Sequence, residues 1–402
     1  MSPESSRENP PHAVDAFIAN VEDFDFDLTT EEVEDLNEAE TTPSRVSYST
    51  NDFDVEGLVS RLQRGDVVIP RFGDNRIGIE TQGFQRGFVW NKKQMDRFIE
   101  SLLLEFPIPS FFFVKQRDKK YLVLDGQQRL ETLRAFYEGE YKFLDKDGTT
   151  STEQFSLTNV AEIFQNLTYS KLSDAQRRTL DSTFLTSVIV TSDNSVESQE
   201  NIYKIFERLN SGGTSLTAHE IRVALFSGEF ISSLDKLNHF TPWRMLYGKP
   251  NPRLRDQELI LRILAFYLNF ETYVSPLKSF LNSFAGEYRS FDIDNPNLEI
   301  FAGVNQAATT FMRAAELLNE VVGKNALRRG TGGGVNSAQT EAIFVGLMRR
   351  LTVQQISPDE VKAKYDRILS MEKFLNSTET GTSAPGSVKM RFSTAIEEFK
   401  QQ

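Results

Sequence analysis

The spacing of apolar residues changes once along this chain of 402 residues, and the change constrains its fold more than any other feature. Up to about residue 190, short apolar runs typical of strands alternate with amphipathic stretches typical of helices. From about residue 196 onward, the apolar positions repeat at intervals near 3.6 residues, as in helices that pack on one another. The sequence therefore predicts an α/β (α+β) module followed by an all-helical region.

The predicted elements divide the chain into three segments, which are residues 1–45, 46–195 and 196–402. In the α/β segment, the pattern predicts helices at 55–64, at 92–105 and from Gly126 to Gly139, and strands at 67–69, 77–79, 111–115, 120–124, 141–144 and 184–190. In the helical segment, it predicts helices at 197–210, 217–227, 256–270, 297–322, 337–351, 358–374 and 387–400.

The net charge of −12 is concentrated in the first 45 residues. This tail contains 13 Asp and Glu residues against only Arg7 and Arg45, whereas the remainder holds 44 acidic and 43 basic residues. A segment with high like charge and little apolar surface is expected to be a disordered acidic tail. Phe24, Phe26 and Leu28 alternate with aspartates, so the tail is either a solvated linker or an acidic segment that docks on a partner or on a basic face of this same protein.

Composition excludes several classes of function. The chain has no Cys and only three His, which rules out a disulfide scaffold, a thiolate zinc site and a multi-histidine metal centre. The absence of Cys fits a reducing cytoplasm, and no apolar run reaches the roughly 18 residues that span a bilayer. There is also no phosphate-binding P-loop sequence.

The strongest candidate site is Asp125-Gly126-Gln127-Gln128-Arg129, where an apolar strand gives way to a helix. A helix N-terminus attracts anions, and a glycine there lets a ligand approach the backbone. Long amides can hydrogen-bond a base or a sugar, and a guanidinium can bind two phosphate oxygens. Asp125 either holds a metal or caps the helix. The alternative interpretation is an ordinary capped helix with polar residues facing solvent.

Three further motifs collect polar groups. The first places Gln85 and Arg86 between aromatic residues, either to contact a nucleotide or on a strand whose aromatics pack inward. The second motif gathers Arg208, Asn210 and Arg222 around a turn that contains Gly212 and Gly213. Backbone donors in such a turn can form an anion-binding nest. Thr217 and Glu220, which follow the turn, are predicted to form a capping box at the start of the next helix.

The third motif places Arg253 and Arg255 just before an apolar helix that starts near Asp256. From the sequence alone, and unless the family resemblance described below extends to them, we interpret these arginines as solvated charges at a helix start. His219 lies within a capped helix and has no partner at metal-ligand spacing, so we expect a surface or contact residue and not a catalytic base.

Four of these segments occur in an order that resembles a known family. They are Gly83 to Trp90, Ile99 to Pro109, Asp125 to Leu130, and Phe206 to Gly213. Together they resemble the GmrS-type family, long called domain of unknown function 262, which belongs to the ParB/sulfiredoxin-like superfamily. The resemblance covers about residues 50–270. It implies a ParB-like nucleotide-binding fold joined to a helical region.

The resemblance also implies a function in bacterial anti-phage defence or modification-dependent restriction. The Asp-Gly-Gln-Gln-Arg box of the family is tied to binding and hydrolysis of nucleoside triphosphates, for which Mg²⁺ is the expected metal, and the domain senses DNA. Carried over, Asp125, Gln128 and Arg129 would be catalytic. The nucleotide-binding residues would be Gln85, Arg86, Gly126, Gln127, Arg208, Asn210, Gly212 and Gly213.

The chain departs from the family pattern in two places. Where relatives read Pro-x-Tyr-Gln-Arg, this chain has Gln82-Gly83-Phe84-Gln85-Arg86 and so lacks the tyrosine hydroxyl. Many relatives carry a C-terminal His-Asn-His-like nuclease domain, whereas no His follows His239 here, so the chain is expected either to be a sensor or regulatory half or to need a separate effector or nuclease subunit. The alternatives are a non-catalytic regulatory protein whose acidic tail docks on a partner, and an enzyme that transfers a phosphoryl group to an acceptor.

Overall fold

The computed structural model describes residues 46–69, 90–116, 118–144, 150–191, 196–209, 217–251, 253–295, 299–329 and 333–400. The strands of the described residues are β1 (Ser47–Asp54), β2 (Val67–Val68), β3 (Phe111–Lys115), β4 (Tyr121–Asp125), β5 (Glu140–Leu144), β6 (Thr150–Gln154) and β7 (Phe184–Thr191). The helices among these strands are α1 (Val55–Arg64), α2 (Lys92–Leu103), α3 (Gln127–Glu138) and α4 (Asp174–Ser182).

Five strands form a mixed sheet in the order β1-β7-β3-β4-β2. β1 runs antiparallel to β7, β7 runs parallel to β3, β3 pairs with β4 as an antiparallel hairpin, and β2 runs parallel to β4. β5 and β6 form a separate antiparallel hairpin. The apolar runs on β3, β4 and β7 explain why these strands lie inside the sheet, while the polar strand β1 lies at its edge.

Each face of the sheet is covered by helices. One face carries Phe111, Phe113 and Val123, which pack with the buried stripes of α1, α2 and α3. The opposite face carries Val114, Leu122, Leu124 and Val190. These residues pack with Ile202, Tyr203, Phe206, Ala218, Ile221 and Ala224, which lie on α5 (Val196–Leu209) and α6 (Ala218–Leu225). The first helices of the helical segment therefore complete the second layer of the α/β module.

The remaining helices form one large core. They are α7 (Glu229–Asn238), α8 (Thr241–Tyr247), α9 (Arg255–Asn269), α10 (Leu277–Glu287), α11 (Ala302–Val321), α12 (Ser337–Val353), α13 (Pro358–Ser370), α14 (Glu372–Asn376) and α15 (Pro385–Lys400). Trp243 is fully buried at the centre, against Phe311 and Phe344. The fold class predicted from the sequence, an α/β module followed by a helical region, is confirmed.

Most individual elements match the predicted ones to within a few residues. The α1 bounds are those predicted, and the predicted capping box of α6 forms at Thr217. Asn91 caps α2 in the same way. The sequence analysis missed β1, β6, α4, α7, α8 and α10. The strand predicted at 77–79 and the acidic tail 1–45 lie outside the described residues.

A buried carboxylate fastens α2 to the loop that follows β6. Asp96 is fully buried and accepts hydrogen bonds from the backbone N–H groups of Thr158 and Asn159, at 3.2 and 3.0 Å. It also accepts from the side chains of both residues and from Lys92, which in turn donates to Ser156. The cluster fixes the position of α2. Because α2 packs on α3, it also supports α3, the helix that begins at the candidate site.

We expect Asp96→Ala to lower the free energy of unfolding by about 3–5 kcal/mol, because the lysine and four donors lose a buried charged partner. Urea unfolding at neutral pH measures this change. Asp118→Ala is the control, since Asp118 forms only exposed contacts, an ion pair and a backbone hydrogen bond with Lys120, and its removal should cost less than about 1 kcal/mol. Equal losses in the two variants would contradict the role of Asp96.

The contribution of Asp96 should also depend on pH. Burial alone would raise the pKa of this carboxyl group, but hydrogen bonds from Lys92 and Asn159 outweigh it and lower the pKa below its usual value. A lowered folded-state pKa gives stability that is complete above the unfolded pKa of about 4 and is lost as the pH falls through the folded-state value. The stability difference between the native chain and Asp96→Ala should therefore narrow below about pH 4, as urea titrations at several pH values would show.

Candidate functional site

The candidate site is the corner where β4 ends at Asp125 and α3 begins at Gln127. Gly126 joins the two with φ +97° and ψ +11°, in the left-handed region that favours glycine. A Cβ at this position would lie 2.4 Å from Cδ1 of Phe111, on the neighbouring strand. Glycine is therefore required both by the backbone conformation and by the close approach of an aromatic ring.

The N-terminus of α3 lacks a side-chain cap among the described residues. The first helical hydrogen bond runs from the N–H of Leu130 to the carbonyl of Gly126, at 3.0 Å. The N–H groups of the first turn precede that bond, so they are free of the helical ladder and give this end of the helix a partial positive charge. The corner thus offers backbone donors that suit an anion.

Arg129 is turned inward at this corner. Its NH2 group lies 2.7 Å from Oδ2 of Asp125 and 3.3 Å from the carbonyl oxygen of Ser110, and its NH1 group donates to the carbonyl of Pro109. The guanidinium lies over the ring of Phe111, 4.3 Å from its centroid, and the residue is only 9% exposed. Burial lowers the pKa of Arg129, while the charge of Asp125 raises it. Arg129 therefore braces the corner by joining α3 to the start of β3.

Asp125 holds Arg129 and does not cap the helix, so the capping alternative is not what the structure has. Its side chain is 45% exposed. The Oδ1 atom accepts no hydrogen bond from any described residue, since the ion pair engages Oδ2 alone. One carboxylate oxygen thus stays available at the surface of the corner.

The two glutamines of the corner differ in their contacts. Oε1 of Gln128 accepts a hydrogen bond from the backbone N–H of Trp90, at 3.1 Å, and Trp90 packs edge-on against Phe98 of α2. Gln128 thereby links α3 to Trp90. Trp90 is the first described residue after the segment that contains Gln85 and Arg86. Gln127 is partly exposed, and its side chain makes no hydrogen bond with any described residue.

The other predicted nucleotide-binding residues are only partly placed by the structure. Arg208 is exposed on the last turn of α5. Five residues lie outside the described ranges and therefore stay predictions: Gln85, Arg86, Asn210, Gly212 and Gly213. The corner itself is formed by the five residues Asp125 to Arg129, as their adjacency in sequence requires.

The Gly-rich motif and the Arg253 motif, which are far apart in sequence, meet in one buried cluster. The NH2 group of Arg253 lies 3.2 Å from Oε2 of Glu220, and both side chains are almost fully buried. The prediction that Arg253 is a solvated charge is therefore wrong. The acid that neutralises it is held at the capped start of α6, a contact that no local pattern reveals.

His219 and Arg222 belong to the same buried cluster. Nε2 of His219 lies 3.1 Å from Gln257, its Nδ1 lies 3.2 Å from NH1 of Arg222, and Arg222 also donates to Asn282 at 2.9 Å. Burial, aided by Arg222, lowers the pKa of His219 to about 3. His219 is thus a neutral contact residue. The expectation of a contact residue agrees with this, while that of a surface residue is wrong.

A separate cleft of about 850 Å³ lies between the sheet edge and the helical region. Val67, Val68 and Leu122 line one wall, and Ile231, Asp235 and Lys236 of α7 line another. Glu131 and Arg134, one and two turns along α3 from the corner, also face it. Among the described residues, those that line the cleft do not include Asp125 to Arg129, so the two features are distinct.

Sequence reasoning missed the partners that shape the corner. The sequence analysis placed Phe111 in a strand and gave Pro109 no role at the corner, yet they form the platform and the acceptor for Arg129. The motif that ends at Trp90 was predicted either to contact a nucleotide or to pack its aromatics inward, and neither interpretation included the hydrogen bond from the backbone of Trp90 to Gln128. The crowding of Phe111 against a glycine that begins a helix is visible only once β3 and β4 are paired.

The sheet, its two helical layers and the glycine corner define a class of α/β module with a potential anion site at a strand-to-helix turn. Residues 68–227 match the family model of the GmrSD restriction endonuclease N-terminal domain. These residues therefore belong to that domain family, and the resemblance drawn from the four ordered motifs is confirmed. The match covers less than half of the chain and links residues 68–227 to restriction systems. No curated protein matches the chain.

Within the described ranges, no three His, Asp or Glu side chains form a group that could hold a metal ion. None of the helices described here combines the length and the apolarity that a bilayer crossing requires.

We expect Gly126→Ala to lower the free energy of unfolding by about 2–4 kcal/mol, because it adds both left-handed strain and a clash with Phe111. Gly139→Ala is the matched control at the other end of α3. Gly139 has a similar φ of +79°, but its added Cβ would meet nothing within 4 Å. Strain alone should then cost about 1–2 kcal/mol. Urea unfolding of both variants tests this, and equal losses would contradict the close approach at Gly126.

Proposed function

We propose that this chain is a module that binds and hydrolyses nucleoside triphosphates within a restriction system that recognises DNA. The observation that carries the proposal is the corner itself, where an uncapped helix N-terminus, an exposed amide and a carboxylate oxygen meet at a glycine. The domain family matched by residues 68–227 supports the link to restriction.

The phosphates would bind at the start of α3. First-turn N–H groups donate to phosphate oxygens, and the helix dipole adds to the attraction. Gln127, which makes no hydrogen bond with a described residue, can donate to a phosphate or hydrogen-bond the sugar or base. Arg129 is not assigned to direct phosphate contact, because its guanidinium is already engaged by one carboxylate and two carbonyls. We assign it instead as a positioning residue that holds Asp125 and α3.

The residues present fit a nucleotide-bound Mg²⁺. Magnesium ions commonly bind through one or two carboxylates together with substrate phosphates and water, and so need no cage of protein ligands. Oδ1 of Asp125 is the available carboxylate oxygen. Bound Mg²⁺ would neutralise charge on the phosphates, and Asp125 would orient it or the attacking water. In hydrolysis, the water oxygen bonds to the γ-phosphorus as the bond from that phosphorus to the β–γ bridging oxygen breaks. The nucleoside diphosphate leaves with the bridging oxygen, and the water supplies the oxygen of inorganic phosphate and releases a proton to solvent.

The test measures phosphate release and nucleotide binding by the full chain with ATP, GTP, CTP or UTP, each with Mg²⁺. We expect Asp125→Asn to lower kcat/KM at least about 100-fold and Gln127→Ala about 10-fold, on the scale of losing groups that orient or stabilise the transferred phosphoryl group. DNA fragments, with and without modified bases, are added to see whether they change the rate.

Glu138→Gln is the matched control, because Glu138 is exposed at the far end of the same helix and should leave the rate unchanged. Arg129→Ala is less informative, since it removes a structural brace. Asp125→Asn weakens the same ion pair, so the thermal stability of both variants is measured beside their activity. The proposal is overturned if the native chain neither binds nor hydrolyses any of the four nucleotides. The assignment of the corner is overturned if Asp125→Asn and Gln127→Ala both retain native rates.

A further inference from the structure

Exposed basic side chains gather at the end of the sheet opposite to the glycine corner. Lys115 ends β3, and Lys119 and Lys120 form the turn that leads into β4. Arg64, at the end of α1, lies beside them because the carbonyl of Asp66 accepts from the N–H of Tyr121, the first residue of β4. We call these four residues, Arg64, Lys115, Lys119 and Lys120, the basic rim.

The turn holds its lysines in a fixed position. The N–H of Gln116 donates to the carbonyl of Lys120 at 2.8 Å, and the N–H of Lys119 donates to Gln116 at 3.0 Å. Lys119 adopts a left-handed φ of +66°. Asp66 and Asp118 pair with Arg64 and Lys120, whereas Lys115 and Lys119 form no ion pair with any described residue. The rim therefore has an excess of positive charge that the described part of the fold does not neutralise.

The acidic tail joins the body at this same end of the sheet. Ser47, the first residue of β1, pairs with Thr191 of β7, and Thr191 pairs with Lys115 of β3. Neighbouring strands lie about 4.8 Å apart, so Ser47 and Lys115 are separated by about 10 Å. Glu40, the acid of the tail nearest to β1, is seven residues before Ser47 and can reach about 25 Å from it.

The charges of tail and rim are complementary. Residues 22–40 contain ten Asp and Glu residues and no Lys or Arg, while the body of the chain is nearly neutral. A tethered segment so close to its binding surface acts at an effective concentration in the millimolar range. Even weak exposed ion pairs, each contributing up to about 1 kcal/mol, are then sufficient for docking when several form together.

We propose that the acidic tail, residues 1–45, docks on the basic rim of its own chain. The tail places carboxylates where a nucleic acid would otherwise place phosphates, so this end of the sheet is shielded from polyanions until a stronger one displaces the tail. This docking does not depend on nucleotide hydrolysis at the corner, which lies at the other end of β4.

Zero-length carbodiimide cross-linking of the full chain, followed by mass spectrometry of the peptides, tests the contact. The reagent joins lysine amines to carboxylates that touch them. We expect tail carboxylates to couple to Lys115, Lys119 and Lys120 about tenfold more than to Lys373 and Lys389, which are equally exposed on the helical region. The preference should vanish as salt rises from about 10 mM to about 1 M, where the Debye length falls from about 30 to about 3 Å.

A second measurement uses the absence of Cys from the chain. A fluorophore on Thr29→Cys should show high anisotropy in the native background and lower anisotropy when Lys115, Lys119 and Lys120 are all changed to Gln. Changing Lys373 and Lys389 to Gln is the matched control and should have no effect. Even distribution of cross-links among exposed lysines, or unchanged anisotropy in the rim variant, would overturn the proposal. Cross-linked dimers that increase with protein concentration would also overturn it, since the tail would then dock on a second copy.

Discussion

The interaction on which the N-terminal module depends is the burial of one guanidinium at the junction of three elements. Arg129 joins Asp125 at the end of β4, the two carbonyls that precede β3, and the ring of Phe111. A buried charge costs free energy unless its hydrogen bonds are satisfied, and here four partners surround it. The result is a rigid corner in which the backbone of α3, not the arginine, is presented to solvent. A residue that sequence motifs assign to chemistry can thus act by holding the groups that perform it.

Much of the fold could be predicted because its signals are local. The stripe of α1, the capping boxes at Asn91 and Thr217, and the glycine that ends α3 each depend on residues a few positions apart. The missed elements lack such signals. β1 is polar along most of its length, and it becomes a strand only because β7 pairs with all eight of its residues. A strand that forms mainly because a neighbouring strand pairs with it has little β-strand signal in its own sequence.

The candidate site was found by sequence, but its internal arrangement was not. The order Asp-Gly-Gln-Gln-Arg places four side chains and a glycine at a helix start, and it does not reveal which of the side chains points inward. That choice depends on Phe111 and on the carbonyls of Pro109 and Ser110, which reach the corner through strand pairing. The same limit explains Arg253. Its buried acid, Glu220, precedes it by 33 positions, so an arginine that reads as solvated is in fact enclosed.

The helices α5 and α6 connect the two hydrophobic cores. Their inner side chains close the second face of the sheet, while Val223 and Leu225 of α6 also pack against the core of the helical region. Because both halves pack against α6, neither half buries all of its apolar side chains without the other. Expression of the strand-bearing half alone would leave Val114, Leu122 and Val190 open to water and prone to aggregation. A displacement of α6 would move side chains in both cores at once, so this helix is the mechanical link between the sheet that carries the glycine corner and the rest of the protein.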